Sequence, residues 1–470
     1  YSFTLVKQFS AYEYNDMSLK QHQLFGRNKN FWKGITEMNN YKLIKCGKMF
    51  DGIHEEMYEN MEILVKDNVI EEVGKNLAYP EGTKIINLSG STVTPGMIDA
   101  HVHLSQIDVT DKNIDAIHYS NGWRTLAALY SAKRCLHAGF TTVRHLGWFA
   151  EDYILDVKRM IDMGLHEGAR VIAAPHLLGT TGSHGDGSQS FNTNPDLADW
   201  LAYEKYPTIG CGKDFFVNAV RRERKLGADF IKIMVSGGVM SKTDQPTDVQ
   251  LNDEELAGIF DTAKSLGISV TAHNYGAAGV KKLVKFGIDG IEHGTMMDEE
   301  AARMMEDAGT YVVPTFAPGE DAIINGEKGL NGCNPAFIKF VQRASDLKAG
   351  RQVIMDSNIK LIGYGTDFVV GCRHQVYECG KEYWCYLTHG MGAYRSLKAA
   401  TSVNAQICGL ADKVGTLEKG KLADISAWDA DLLIDPYGLT KCVFVMKDGK
   451  EYEPEYQYGN YCKFEDLLEN

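Results

Sequence analysis

The chain has 470 residues, 44% hydrophobic and 24% charged, which is enough length and apolar content for a large core plus a second, smaller domain. A net charge of −13 without a dense Lys/Arg run argues against nucleic acid as a partner. No apolar run approaches the roughly 18 residues of a membrane span, no basic-then-apolar leader opens the sequence, and ten cysteines without a CxxC pair suit reduced thiols and a cytoplasmic protein.

Residues 1–40, "YSFTLVKQFS" to "ITEMNN", show no clear period and read as an N-terminal arm. From residue 41 the texture changes to short β-rich runs punctuated by Gly, Asp and Asn: "YKLIKCGKMF", "MEILVKDNVIEEVG" and "TKIINLSGSTVTPG". It returns near the other end in "KLADISAWDA" and "CVFVMKDGKEY". These flanks, residues 41–94 and 411–470, predict one small β-sandwich domain built from both chain ends.

Between residues 95 and 410 apolar strands alternate with helical stretches. "VTPGMIDAHVHL" precedes a helix near 123–138, and "FTTVRHLG" one near 151–164. "RVIAAP" leads into a long Gly/Ser/Asn-rich loop, 179–213. "DFIKIMVSGG", "SVTAHNYG" and "GIDGIEHG" precede helices at 252–266, 276–286 and 298–308, and "TYVVPTF" and "KLIGYGTDF" follow. Eight β–α steps predict an α/β fold, a (β/α)8 TIM barrel.

Active sites of such barrels lie at the C-terminal ends of the strands, and the polar residues there form a short list. "DAHVHL" places His101 and His103 two apart, and later strand ends supply Lys232, His273, His293 and Asp367. An HxH pair on its own is more often two satisfied histidines, and a lone aspartate at a strand end often caps a loop. Six such residues at the ends of separate apolar strands in one barrel point instead to a metal centre, because imidazole and carboxylate suit zinc and similar divalent ions. Lys232 is the odd member. It interrupts the apolar run "FIKIMV", where a bare ammonium is costly unless paired or neutralised.

The motifs in combination resemble the amidohydrolase superfamily: "VTPGMIDAHVHL", "IKIMVSGGVMS", "TAH", "GIEHG", "GTD" and the tail "AATSVNAQICGLADKVGTLEKGKLADI". The nearest branch is the one with metal-dependent Xaa-Pro dipeptidases, Lys/Arg carboxypeptidases and ochratoxin-hydrolysing amidases, related to imidazolonepropionases. The resemblance implies two divalent metal ions, most readily zinc, bridged by a CO2-derived carbamate on Lys232. It assigns His101, His103 and Asp367 to the more buried ion and His273 and His293 to the more exposed one. It implies hydrolysis of an amide in a dipeptide or N-acyl amino acid by a metal-bridged hydroxide, with Asp367 as general base, and a homo-oligomer without nucleic-acid or membrane partners. Hydrolysis of a cyclic amide, as in imidazolonepropionases, is one alternative, and a diverged family member with other chemistry is the other.

The resemblance places His184, in "TTGSHGDG", among substrate-contacting residues. Arg144 suits either a strand-end network or a substrate carboxylate, and Arg373, beside His374 in the loop after Asp367, suits either a solvated loop or an anionic substrate. His145 stands where related chains carry an acidic residue, which makes the substrate the least predictable feature.

Overall fold

The β-rich ends of the chain meet in one sheet, and the alternating middle closes into a barrel. The computed structural model describes residues 40–105, 119–148, 152–191, 193–205, 207–239, 241, 243–327, 338–367 and 375–454. The expected arm, residues 1–40, lies outside the described residues except for Asn40. The chain begins with β1 (Tyr41–Met49), β2 (Tyr58–Glu59), β3 (Glu62–Lys66), β4 (Val69–Gly74) and β5 (Lys84–Pro95). The barrel strands are β6 (Met97–Val102), β7 (Phe140–Trp148), β8 (Arg170–Leu178), β9 (Ile231–Met234), β10 (Val270–Gly276), β11 (Gly290–Met296) and β12 (Tyr311–Val313). The last three are β13 (Ile425–Trp428), β14 (Cys442–Lys447) and β15 (Lys450–Tyr452).

The outer sheet runs β15-β14-β13-β5-β1-β3-β4, with β2 on β1. Only the β1–β5 pair is parallel; the other pairs, such as β5–β13, are antiparallel. Ile44, Ile63 and Ile70 from one half and Ile425, Phe444 and Met446 from the other share one apolar core. The sheet is therefore folded over its own buried face, the packing of a sandwich. β5 passes through Pro95 directly into β6, so the sheet is fastened to the first barrel strand.

β6 to β12 form a continuous parallel sheet in chain order. The segment ending at Asp367 supplies the eighth position. It pairs with β12 through Val312 N–H to Leu361 O (3.0 Å) and Gly363 N–H to Val312 O (2.8 Å). It pairs with β6 through Ala100 N–H to Tyr364 O and Asp367 N–H to His101 O, both 2.8 Å. These bonds close the TIM barrel. Helices cover it where the sequence places them: Asn121–His137, Ile154–Asp162, Asp253–Leu266, Ala277–Phe286 and Glu299–Ala308. Asp253–Leu266 starts sharply because Asn252 and Glu255 form a reciprocal capping box.

The loop expected over 179–213 is not structureless. It holds a 3-10 turn, Gly187–Phe191, and a helix, Pro195–Lys205. Pro195 pre-sets the first helical φ, and Leu197 and Leu201, one turn apart, pack with Met234 and Ile209. The helix Lys213–Leu226 is also absent from the expected elements; its Phe216 and Val220 enter the main core. Among the described residues seven cysteines are free, and no helix is long and apolar enough to cross a membrane.

Candidate metal centre

His101 and His103 leave the C-terminal end of β6, and each is oriented by an oxygen behind it. The Nδ1–H of His101 donates to Glu292 Oε2 at 2.7 Å, and that of His103 to the Gly147 carbonyl at 2.8 Å. Both acceptors lack a proton to give, so the lone pair of each neutral ring is on Nε2. Both Nε2 atoms face the same oxygen, Asp367 Oδ1, at 3.4 and 3.3 Å. Burial keeps the His101 imidazolium unfavourable even though Asp367 and Glu292 pull the other way. Burial raises the Asp367 carboxyl, but positive charge placed among His101, His103 and His293 outweighs burial and holds the group far below the usual carboxylate range. Two imidazole lone pairs and a carboxylate converging in a buried site repel one another unless a cation sits between them. The ligand atoms of this trio all lie within 4.8 Å of one another, the spacing of a metal site.

A second group adjoins the first. The His293 ring lies 5.0 Å from His101 and 4.6 Å from His273, centroid to centroid. Nδ1 of His293 is paired with Thr315 Oγ1 at 2.7 Å, which makes Nε2 its candidate ligand atom. His273 is turned the other way: its Nε2–H donates to the Gly237 carbonyl at 3.2 Å, so Nδ1 keeps the lone pair. Burial holds both rings well below the normal histidine range, in the neutral form that binds metals. Tyr275 stacks on His293 at 4.8 Å and meets His273 edge-on at 5.0 Å.

Lys232, only 2% exposed, lies in the field of both groups. Burial pushes its ammonium down to about 8, against the pull of Glu292 and Asp367. A neutral-amine fraction of about a tenth is therefore present at pH 7, rising to about half near pH 8.

The backbone is strained at the same place. Among the described residues, non-glycine positive φ occurs at four Asn or Asp residues outside the barrel and at His293 (71°), Thr315 (46°) and Asp367 (48°). Such conformations cost about 1–3 kcal/mol each and cluster at functional sites.

His184 joins the centre: its ring stacks on His273 at 4.7 Å. Gly238 makes room for it, since a Cβ there would stand 2.0 Å from His184 Nδ1. Arg144 is 2% exposed and lies behind His101. It donates to Glu292 Oε1 (2.8 Å), Ala100 O (3.2 Å) and Tyr311 Oη (2.7 Å), and it covers the Phe230 ring at 4.0 Å. This placement favours the strand-end network over a contact with a substrate carboxylate. Arg373 and His374 lie outside the described residues. His145 is fully buried beside His103 and accepts the Leu104 N–H at 3.2 Å. The sequence reading passed over Glu292, the residue that aligns His101, although it directly precedes His293 in "GIEHG".

The Amidohydrolase family profile matches residues 92–452. An ochratoxinase of Aspergillus niger is 29% identical over 427 residues, 85% of this chain and 83% of that protein. A solved Xaa-Pro dipeptidase with methionine bound in its active site aligns at TM-score 0.77 and 31% identity, over 88% of this chain and 100% of the other. An imidazolonepropionase of Mesorhizobium japonicum is 23% identical over 422 residues, 85% of this chain and 93% of that protein. The family match begins in β5, crosses every barrel strand and ends in β15, and it carries all six candidate ligands; the chain is a hydrolytic enzyme of the amidohydrolase family.

Proposed function

We propose that the enzyme is a binuclear metal-dependent amidohydrolase that cleaves the amide bond of a dipeptide or an N-acyl amino acid. The observation that carries the metal centre is the convergence of His101 Nε2 and His103 Nε2 on Asp367 Oδ1, at 3.4 and 3.3 Å, while an oxygen behind each ring holds its Nδ1. His101, His103 and Asp367 would hold one ion, and His273 through Nδ1 and His293 through Nε2 the other.

Lys232 fits the bridging position as a carbamate. Its neutral amine would add to CO2, a nitrogen–carbon bond forming and a proton leaving, and the resulting anion would be stabilised by divalent ions held by the neighbouring His and Asp residues. When bound, divalent ions supply Lewis acidity, lowering the pKa of a held water and polarising the scissile carbonyl. Asp367 takes the proton of the attacking water and returns it to the leaving amine, the role of a general acid–base group. His184, stacked beside His273, would stand next to the second ion, within reach of a substrate bound there. The choice of linear amide draws on the dipeptidase at 31% identity over 88% of this chain.

The test is turnover of zinc-reconstituted enzyme in bicarbonate against mixed dipeptides, N-acyl amino acids and cyclic amides, read by mass spectrometry. Release of free C-terminal amino acids is expected. Silence across the linear amides, with two metal ions per chain shown to be bound, refutes the substrate class, and turnover confined to cyclic amides replaces it.

A further inference from the structure

Behind His184 lies a chain of polar groups that ends on a buried carboxylate. His184 Nδ1 is 2.9 Å from Ser241 Oγ, and Ser241 in turn hydrogen-bonds Asp244 Oδ1 in a short contact. Asp244 is only 3% exposed. Gln250 Nε2 donates to its other oxygen at 3.1 Å, and the Gln250 side-chain carbonyl accepts the His184 backbone N–H at 3.2 Å. Lys339, brought in by the short helix Ile338–Gln342, reaches Asp244 Oδ1 at 3.3 Å. The same ammonium donates to the Ser241 carbonyl at 2.7 Å and the Gly238 carbonyl at 3.2 Å, and makes a short contact with the Asp244 carbonyl. A buried carboxylate with a countercharge and a hydroxyl aimed at a histidine is more than loop closure requires.

Proton counting fixes the direction of the chain. Ser241 has one hydroxyl proton, and the oxygens it reaches as a donor among the described residues, Asp244 Oδ1 and the Gly238 carbonyl at 3.3 Å, only accept. Its Oγ must therefore accept from His184, which puts the imidazole proton on Nδ1 and the lone pair of the neutral ring on Nε2.

We infer that Asp244, locked by Lys339, is a positioning residue that acts through Ser241 to fix the ring plane and the tautomer of His184. This deepens the amide-hydrolase reading and rests on it for its effect on turnover. In that tautomer Nε2 is the acceptor nitrogen of the ring, the form suited to meeting an N–H group, and the relay sets it before any substrate arrives. The geometry joins three separate elements: the loop after β8, the loop after β9 and the insertion after β12.

Two measurements test the assignment. The first is the tautomer itself, read by long-range nitrogen–proton correlation on zinc-loaded, histidine-labelled protein at pH 8, with His184→Ala identifying the signal. The Nδ1–H form is expected in the parent protein and its loss in Ser241→Ala; an Nε2–H form in the parent overturns the inference whether or not any substrate turns over. The second is a kinetic cycle. Ser241→Ala and Asp244→Ala should each lower kcat/KM by 10-fold or more at unchanged metal content, and Ser241→Thr should restore it. Adding Ser241→Ala to His184→Ala should cost nothing further, because the relay acts only through that ring. Losses that multiply overturn the relay. Absence of amide turnover in the parent overturns the functional reading instead, and the tautomer then decides the relay alone.

Discussion

Glu292 holds His101 Nδ1 on one oxygen at 2.7 Å and Arg144 Nη1 on the other at 2.8 Å, and both the carboxylate and the guanidinium are sealed from solvent. Thr271 Oγ1 adds a third hydrogen bond to Oε1 at 2.6 Å. Burial opposes the Glu292 anion, but Arg144 and His101 outweigh it and hold the carboxyl well below its usual range. The pair does two jobs: it completes the barrel interior and orients a candidate ligand.

Glu292→Gln separates these jobs. The neutral amide leaves Arg144 as an uncompensated buried charge, so stability should fall by about 3–5 kcal/mol. His101 loses its charged partner, and metal affinity should fall about 10–100-fold, the usual loss for a group behind a ligand. Urea unfolding of metal-free protein reads the first and competition with a chelating dye reads the second. Equal metal affinity in the two proteins would remove Glu292 from the centre.

The carbamate proposed on Lys232 should be read out through bicarbonate. In protein stripped of metal and CO2, recovery of activity on adding zinc should require bicarbonate. It should quicken as pH rises toward about 8, because burial lowers the ammonium to that range and the neutral amine is the reacting form. Lys232→Ala should bind less metal and recover nothing. Recovery at the same rate with bicarbonate excluded would rule out the carbamate.

The barrel was legible because its strands are apolar runs ending in polar residues, and His101, His103, His273, His293 and Asp367 stand at those ends. What orients them was not. Glu292 neighbours His293 in sequence, yet its partner His101 is 191 residues away, a pairing that depends on barrel closure. Lys339 reaches Asp244 across 95 residues and the relay in between is ordinary loop sequence. The helix Pro195–Lys205 hid for a different reason: its apolar Leu197 and Leu201 sit in Asn- and Asp-rich surroundings that mimic a loop.

Gly238 tests the room around His184. A methyl group at this position would lie 2.0 Å from the ring's Nδ1, and the ring cannot retreat far because it stacks on His273. Gly238→Ala should displace His184, lower kcat/KM and destabilise the fold by about 1–3 kcal/mol, as overpacking does. Metal content should stay unchanged, since His273 and His293 keep their own partners, the Gly237 carbonyl and Thr315. Elemental analysis beside the kinetics decides it; full activity would show that the ring is not held where it stands.

A buried histidine away from the centre sets an alkaline limit on stability. His176 on β8 is fully buried between Glu223 of the helix Lys213–Leu226, 2.8 Å from Nδ1, and Asp152, 2.6 Å from Nε2. Burial disfavours its charged form, but the two carboxylates outweigh burial and raise it to about 9. A folded-state value above the unfolded value of roughly 6.5 means the contribution is complete below that pH and is lost as pH rises through about 9. The shift corresponds to at most about 3 kcal/mol, reduced in practice because Asp152 is largely exposed to solvent. His176→Gln should be less stable than the parent at pH 6 and nearly equal to it at pH 9.5, by urea midpoints on metal-free protein. Parallel pH profiles for the two proteins would show that the imidazolium is not what ties β8 to its covering helix.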